Sequence, residues 1–295
     1  MRRLLTVLAT ATLVIAGTLP AVADEEGGTY LALGDSVAAG TQQPVPFTDN
    51  GYTSLLASHL ADTYGVGNFV NLACPGDDTA EMITGAGSIC YGPGGFLPPG
   101  GDSQLDVAVD YLLSHPGEVE LITIVIGAND ILACDPTDPD VAACVAAQLG
   151  QVAANLPVIL GTLQAAAPGV PIVAMNYYNP NLAYWLIDPA LAEAALALSV
   201  PFTGTLEALY GAFGVPVADV ESAFKTFATN GIPPRNVRTV CLYTLMCERI
   251  GDGYVLSDYD PVAPGPQTDI HPSNAGYKKI ADVHRKLIDG LGLLG

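Results

Sequence analysis

The sequence predicts an α/β fold, a three-layer αβα sandwich with a mostly parallel sheet of about five strands between helices. Three observations carry this. Short apolar runs alternate along the chain with longer helical patterns, the order that builds parallel strands joined by helical crossovers. Several runs are bounded by Gly, Pro or Asn, as buried strands are. Half of the 295 residues are hydrophobic, enough to fill a core and too many for a disordered acidic chain, despite a net charge of −20.

The chain opens on Met1-Arg2-Arg3, followed by an apolar run over residues 4–19. That run is too short to span a bilayer comfortably. It ends in Ala21-Val22-Ala23, a small-x-small site ahead of Asp24-Glu25-Glu26. This is the pattern of a cleavable secretory signal. Residues 1–23 are therefore read as a signal peptide and 24–295 as one domain, with a secreted, extracellular product.

Strands are read at 30–33, 69–72, 121–126, 172–175 and, more weakly, 215–218. Between and after them lie helices at 52–64, 103–113, 141–166, 190–212 and 275–287, the last capped by Ser273 or Asn274. No Gly/Ser/Pro linker divides the chain, and no internal repeat is visible. No segment after the leader is read as long and apolar enough to cross a bilayer, and the tail 290–295 carries no anchor signal, so no stable membrane anchor is expected.

Charge narrows the function. The chain has 10 basic and 30 acidic residues; loss of Arg2 and Arg3 with the leader leaves 8 against 30, or −22. So acidic a surface repels nucleic acid and anionic membranes. It suits a neutral substrate, and the chain is expected to work as a monomer.

The six cysteines fall into local couples: Cys74 with Cys90, Cys134 with Cys144, Cys241 with Cys247. In an exported chain these suggest three disulfides, although sequence alone leaves other pairings open. Each couple brackets a loop rich in Gly, Pro or Asp, where a staple replaces missing core. A zinc site is the rival reading, but no couple has Cys-x-x-Cys spacing and the compartment is oxidising. No metal is expected.

In such a sheet, sites lie beyond the carboxyl ends of the strands. Gly34-Asp35-Ser36 follows the first run, Ala73-Cys74-Pro75-Gly76 the second, Gly127-Ala128-Asn129-Asp130 the third. A serine hydroxyl needs a base within hydrogen-bond reach, and the oxyanion it generates needs donors already aimed at it. Ser36, at a strand-to-helix turn, is the candidate nucleophile. His271, in Asp269-Ile270-His271-Pro272, is the candidate base. Gly76 can lend a main-chain N–H, and Asn129 its side-chain amide. After the fourth run, Tyr177, Tyr178, Tyr184 and Trp185 are candidates to line a substrate site.

On these residues the chain resembles the SGNH, or GDSL, hydrolase superfamily, and its secreted bacterial esterases and lipases in particular. Four blocks in order carry the resemblance: Gly34-Asp35-Ser36-Val37, Asn71 to Gly76, Gly127-Ala128-Asn129-Asp130 and Asp269-Ile270-His271-Pro272. Gly-Asp-Ser alone is a weak signal; four blocks in order, each at a strand end, are a strong one. The resemblance implies a flavodoxin-like sheet, an SGNH hydrolase fold, and carboxylic ester hydrolysis without a cofactor, on a small-molecule or lipid ester substrate. It assigns Ser36 as nucleophile, His271 as base, and Ser36, Gly76 and Asn129 as the oxyanion hole.

Two departures stand out. Val37 replaces the family's commoner leucine. More seriously, the family's acid lies three residues before the histidine, where this chain has Thr268; Asp269 is two before. Some secreted members orient the histidine with a main-chain carbonyl instead. Asp269 can thus act through its carboxylate, its carbonyl, or neither, and the shifted spacing favours the carbonyl.

Asp35 is read as a structural residue that bonds backbone around its turn. His59 and His115 are read as surface residues, and His284 as part of a solvated basic face with Lys278, Lys279, Arg285 and Lys286. The same chemistry also serves a phospholipase A or a carbohydrate O-deacetylase. The alternative from another class is a non-catalytic flavodoxin-like binding protein, which would have no reason to keep all four blocks. A metallohydrolase lacks its His-Glu-x-x-His.

Overall fold

A computed structural model describes residues 27–92, 95, 102–134, 138–257 and 268–295. The expected signal peptide lies outside these residues. The elements run β1 (Thr29–Gly34), α1 (Ser36–Ala39), α2 (Tyr52–Tyr64), β2 (Asn68–Asn71), α3 (Thr79–Thr84), α4 (Gln104–Ser114) and β3 (Val119–Val125). They continue α5 (Ala128–Leu132), α6 (Val141–Ala166), β4 (Ile172–Met175), a 3₁₀ segment (Pro180–Leu186), α7 (Pro189–Ala212) and β5 (Val217–Ala218). Last come α8 (Val220–Ala223), α9 (Arg235–Tyr243), an antiparallel pair β6 (Cys247–Ile250) and β7 (Gly253–Leu256), and α10 (Asn274–Leu291).

Every expected strand and helix is present, with ends moved by a few residues. β1 lies between β2 and β3, and the five strands pair in parallel in the order β2-β1-β3-β4-β5. That is the doubly wound order of flavodoxin-like sheets, in which winding reverses at β1 and β3 and a crevice opens beyond their carboxyl ends. Alternation along β1 feeds two cores. Leu31 and Leu33 pack in the cluster of Leu105, Ala108, Leu156 and Leu160, whereas Tyr30 and Ala32 pack with Leu56, Leu60 and Ile288.

The caps follow the sequence closely. The Ser103 side chain accepts from Asp106 N–H ahead of α4, and Ser273 from Gly276 N–H ahead of α10. The three cysteine couples are bonded as expected, and no cysteine among the described residues is free.

Two expectations are overturned. Contrary to the reading that no later segment could cross a bilayer, α6 and α7 are long and apolar enough to do so by length and composition. Both pack on the sheet through one face, α6 through Val152, Leu156, Ile159 and Leu163, α7 through Leu206 and Tyr210. Their remaining faces are rich in alanine, which raises hydropathy without requiring burial.

The second correction concerns His284, which is fully buried instead of solvated. It shares the inner stripe of α10 with Tyr277, Ile280, Ala281 and Ile288, a 3.6-residue period that the intervening lysines mask. Its ring stacks on Tyr52 with centroids 4.6 Å apart, and its Nδ1–H donates to the Ile280 carbonyl at 3.0 Å. Burial pushes the imidazole down to about 4, against the upward pull of that hydrogen bond.

A folded value below the unfolded one, near 6.5, fixes the sign. The contribution of His284 to stability is complete above about pH 6.5 and is lost as pH falls towards 4. The stability difference between wild type and His284→Phe should therefore shift against wild type by on the order of 2 kcal/mol from pH 7 to pH 4.5. Urea melts at the two pH values measure it; a pH-independent difference would contradict a buried neutral ring.

Candidate active site

The Ser36 turn starts from a glycine that no other residue can replace. Gly34 has φ of 132°, and a Cβ there would stand 2.0 Å from the Val125 carbonyl oxygen. The next residue, Asp35, caps α1, its Oδ1 accepting from Val37 N–H at 2.9 Å. As the first residue of α1, Ser36 has an N–H with no helical partner, and it bonds no other described residue.

Asp35 is buried and structural, as expected, but its second partner lay outside the sequence reading. Tyr177 donates its hydroxyl to Asp35 Oδ2 at 2.5 Å. Burial pushes the carboxyl up to about 6, against the lowering effects of Tyr177, Val37 N–H and His271.

Past β2 the chain stays beside β1, with Cys74 N–H donating to the Gly34 carbonyl at 2.9 Å. The Cys74–Cys90 disulfide fixes this loop. Gly76 then takes φ of 95° on the exposed side, and its N–H bonds no other described residue. At the end of β3, Gly127 with φ of 117° turns the chain into α5. Asn129 Nδ2 donates to the Asp77 carbonyl at 2.8 Å. An amide nitrogen carries two hydrogens, so one fixes the group and the other stays free.

His271 sits on a segment pinned at several points. Its carbonyl accepts from Leu245 N–H at 2.9 Å, and the preceding Ile270 carbonyl accepts the Tyr178 hydroxyl at 2.9 Å. Where the spacing favours a main-chain carbonyl as partner for the ring, the structure places the Asp269 carboxylate. Its Oδ1 accepts from His271 Nδ1–H at 2.5 Å and from His271 N–H at 3.0 Å, while Oδ2 accepts from Gln43 N–H at 2.9 Å.

The two-residue spacing works because an aspartate can fold back onto the backbone two residues ahead. Partial burial raises the Asp269 carboxyl, but the bonds from the His271 ring, His271 N–H and Gln43 N–H outweigh it and hold the group below the usual carboxylate range. With Nδ1–H directed at this carboxylate, the lone pair lies on Nε2, which bonds no other described residue.

Ser36, Asn129 and His271 line one cavity of about 130 Å³. Tyr177 and Tyr178 line it too. Tyr184 and Trp185 do not: they pack with Leu182, Val240, Met246 and Ile270 in a satellite core, because the 3₁₀ segment after Asn179 carries them away from the strand end. Gly76 borders its own exposed loop and is not part of the cavity wall. One wall went unread in the sequence: Ala195, Leu198 and Phe202 of α7, with Ile131 and Leu132 of α5. The legible signal is the 4-3-4 spacing of Leu191, Ala195, Leu198 and Phe202, one face of a helix.

A flavodoxin-like sheet that gathers Ser36, Asn129 and His271 at its carboxyl edge has the architecture of the SGNH hydrolases, a class of ester-hydrolysing enzymes. The chain belongs to the GDSL-like lipase/acylhydrolase family, which it matches over residues 32–279. Its fold is similar to that of a phospholipase A1 from Streptomyces albidoflavus (TM-score 0.55, 16% identity, covering 88% of this chain and 99% of that one). An extracellular lipase from Streptomyces rimosus is similar to the same degree, with TM-score 0.55, 16% identity and coverage of 88% and 99%. An acetylxylan esterase from Geobacillus stearothermophilus gives 0.51 at 15% identity, covering 89% and 94%. No curated protein sequence is similar to this chain.

The Tyr177 hydroxyl lowers Asp35 against burial, so Tyr177→Phe should raise the Asp35 carboxyl above about 6. Carboxyl-carbon NMR with pH measures this. A titration that stays put or moves down would contradict the buried hydroxyl–carboxyl bond.

Proposed function

We propose that this protein is an exported serine hydrolase that cleaves uncharged carboxylic esters, with Ser36 as nucleophile, His271 as general base and Asp269 as its orienting acid. The observation that carries the reading is that Ser36 and His271 line one cavity while the Asp269 carboxylate holds His271 Nδ1–H. Nε2 is thereby left basic on the ring's other edge.

In this reading Ser36 Oγ attacks the ester carbonyl and Nε2 takes its proton. The carboxylate steadies the imidazolium that forms. In the same reading negative charge on the carbonyl oxygen is met by Ser36 N–H and the spare Asn129 N–H at the cavity, joined by Gly76 N–H from the loop whose next carbonyl, that of Asp77, holds Asn129; none of the three has another described partner to release. Collapse expels the alcohol, which receives its proton from Nε2; water then repeats the sequence on the acyl-enzyme and frees the acid. The apolar α7 wall supports an acyl group in the cavity. The three disulfides fit an oxidising destination, and the acidic surface suits a neutral substrate better than an anionic one.

Ser36→Ala should keep the fold and lose about 10⁴-fold or more in kcat. Asp269→Asn should lose on the order of 10³- to 10⁴-fold, since an amide favours the wrong imidazole tautomer. Hydrolysis of a soluble short-chain ester by the mature protein tests both; residual activity within tenfold of wild type in Ser36→Ala sinks the assignment.

The cavity makes a separate prediction about the acyl group. Ala195→Phe fills space along the α7 wall, so kcat/KM for a hexanoyl ester should fall at least about tenfold relative to the acetyl ester. A uniform change across a series of chain lengths would place the acyl group elsewhere.

A further inference from the structure

The proposed reaction makes no use of Gln104, yet this side chain joins the parts of the site. It is the first residue of α4, directly after the capping Ser103, and it is fully buried, whereas glutamine is mostly exposed in proteins. Its amide takes the place of a missing piece of backbone. In a continuing parallel ladder, Gly34 N–H would bond the Leu72 carbonyl, as Cys74 N–H bonds the Gly34 carbonyl. The Leu72 carbonyl instead accepts the Tyr91 hydroxyl at 2.5 Å.

Gln104 fills the gap. Its Oε1 accepts from Gly34 N–H at 2.7 Å, and its Nε2 donates to the Gly34 carbonyl at 3.0 Å. Nε2 also donates to Asp77 Oδ2 at 3.0 Å. Asp77 directly follows Gly76, and its carbonyl is the acceptor that fixes the Asn129 amide at 2.8 Å. Asp77 is buried with Ser88 and Gln104 as its side-chain partners, and the Gln104 amide is the one that ties its carboxylate to Gly34.

We infer that Gln104 is a positioning residue for the oxyanion site, setting the separation between Ser36 N–H on one side and Gly76 N–H and the Asn129 amide on the other. The inference rests on the reading of those three groups as oxyanion donors. It touches no reacting atom; it acts through Gly34 and Asp77. Donors that act in the transition state govern kcat more than KM, and a shift of about 1 Å in their spacing is enough to cost on the order of 10²-fold.

The test is Gln104→Met, which keeps length and removes every hydrogen bond, assayed on a soluble ester with active sites counted by a fluorophosphonate. Per active site, kcat should fall about 10- to 100-fold with KM within about threefold. Combined with Asn129→Ala, the loss should be at least about fivefold smaller than the product of the single losses, because both changes damage one device. A kcat within threefold of wild type, or losses that multiply, would overturn the inference.

If Gln104→Met does not fold, Gln104→Glu, similar in size, is read in the same way; if neither folds, Gln104 serves the fold alone and the inference falls. Failure of the underlying reading looks different: wild type would not hydrolyse esters, or Ser36→Ala would retain activity.

Discussion

The site depends on the way β1 ends. A strand in the middle of a parallel sheet has neighbours on both sides, and it can present a side chain above the sheet only by leaving the ladder abruptly. Gly34 does this with a backbone conformation closed to other residues and an approach to Val125 that leaves no room for a side chain. Leaving the ladder strands polar groups in the interior, and a buried unpaired donor or acceptor costs about 1–3 kcal/mol. Most of the polar side chains around the site answer that cost. Asp35 takes up the Val37 N–H in the first turn of α1, Gln104 takes up both backbone groups of Gly34, and Tyr177 donates to the second Asp35 oxygen.

The same low-dielectric surroundings divide the acids into two kinds. Asp35, enclosed on every side, is pushed towards neutrality and bonded chiefly by a neutral phenol. Asp269, half-buried and faced by three N–H donors, is held ionised. Their environments set one to shape the turn and the other to face an imidazole.

Much of this could be read from the chain. The strands announced themselves as short apolar runs, and three of the four blocks fell at their ends, which a doubly wound sheet gathers on one edge, while the fourth lies just ahead of α10. The cysteine couples were legible because each closes a short loop. Other features had no local signal. Gln104 reads as an ordinary polar residue at the start of a helix, and its burial follows from the position of Gly34, seventy residues earlier. His284 was masked by basic neighbours one or two positions away, although the spacing of Tyr177, Tyr178 and the α7 stripe was open to view. The direction of the Asp269 carboxylate is a matter of side-chain torsion, which spacing alone does not fix.

That direction has a consequence for how the site keeps its alignment. In most acid–base–nucleophile sites the acid and the base come from different parts of the fold, so their distance depends on the rigidity of everything between them. In the reaction proposed for this chain both groups belong to one tight turn, with Asp269 Oδ1 held at once by the backbone and the ring of His271. The pair is a self-contained cassette. Drift of the segment relative to the sheet would change the reach of Nε2 towards Ser36 while leaving the tautomer and the charge balance of the ring intact, so tautomer and reach can be lost, or altered by substitution, independently of each other.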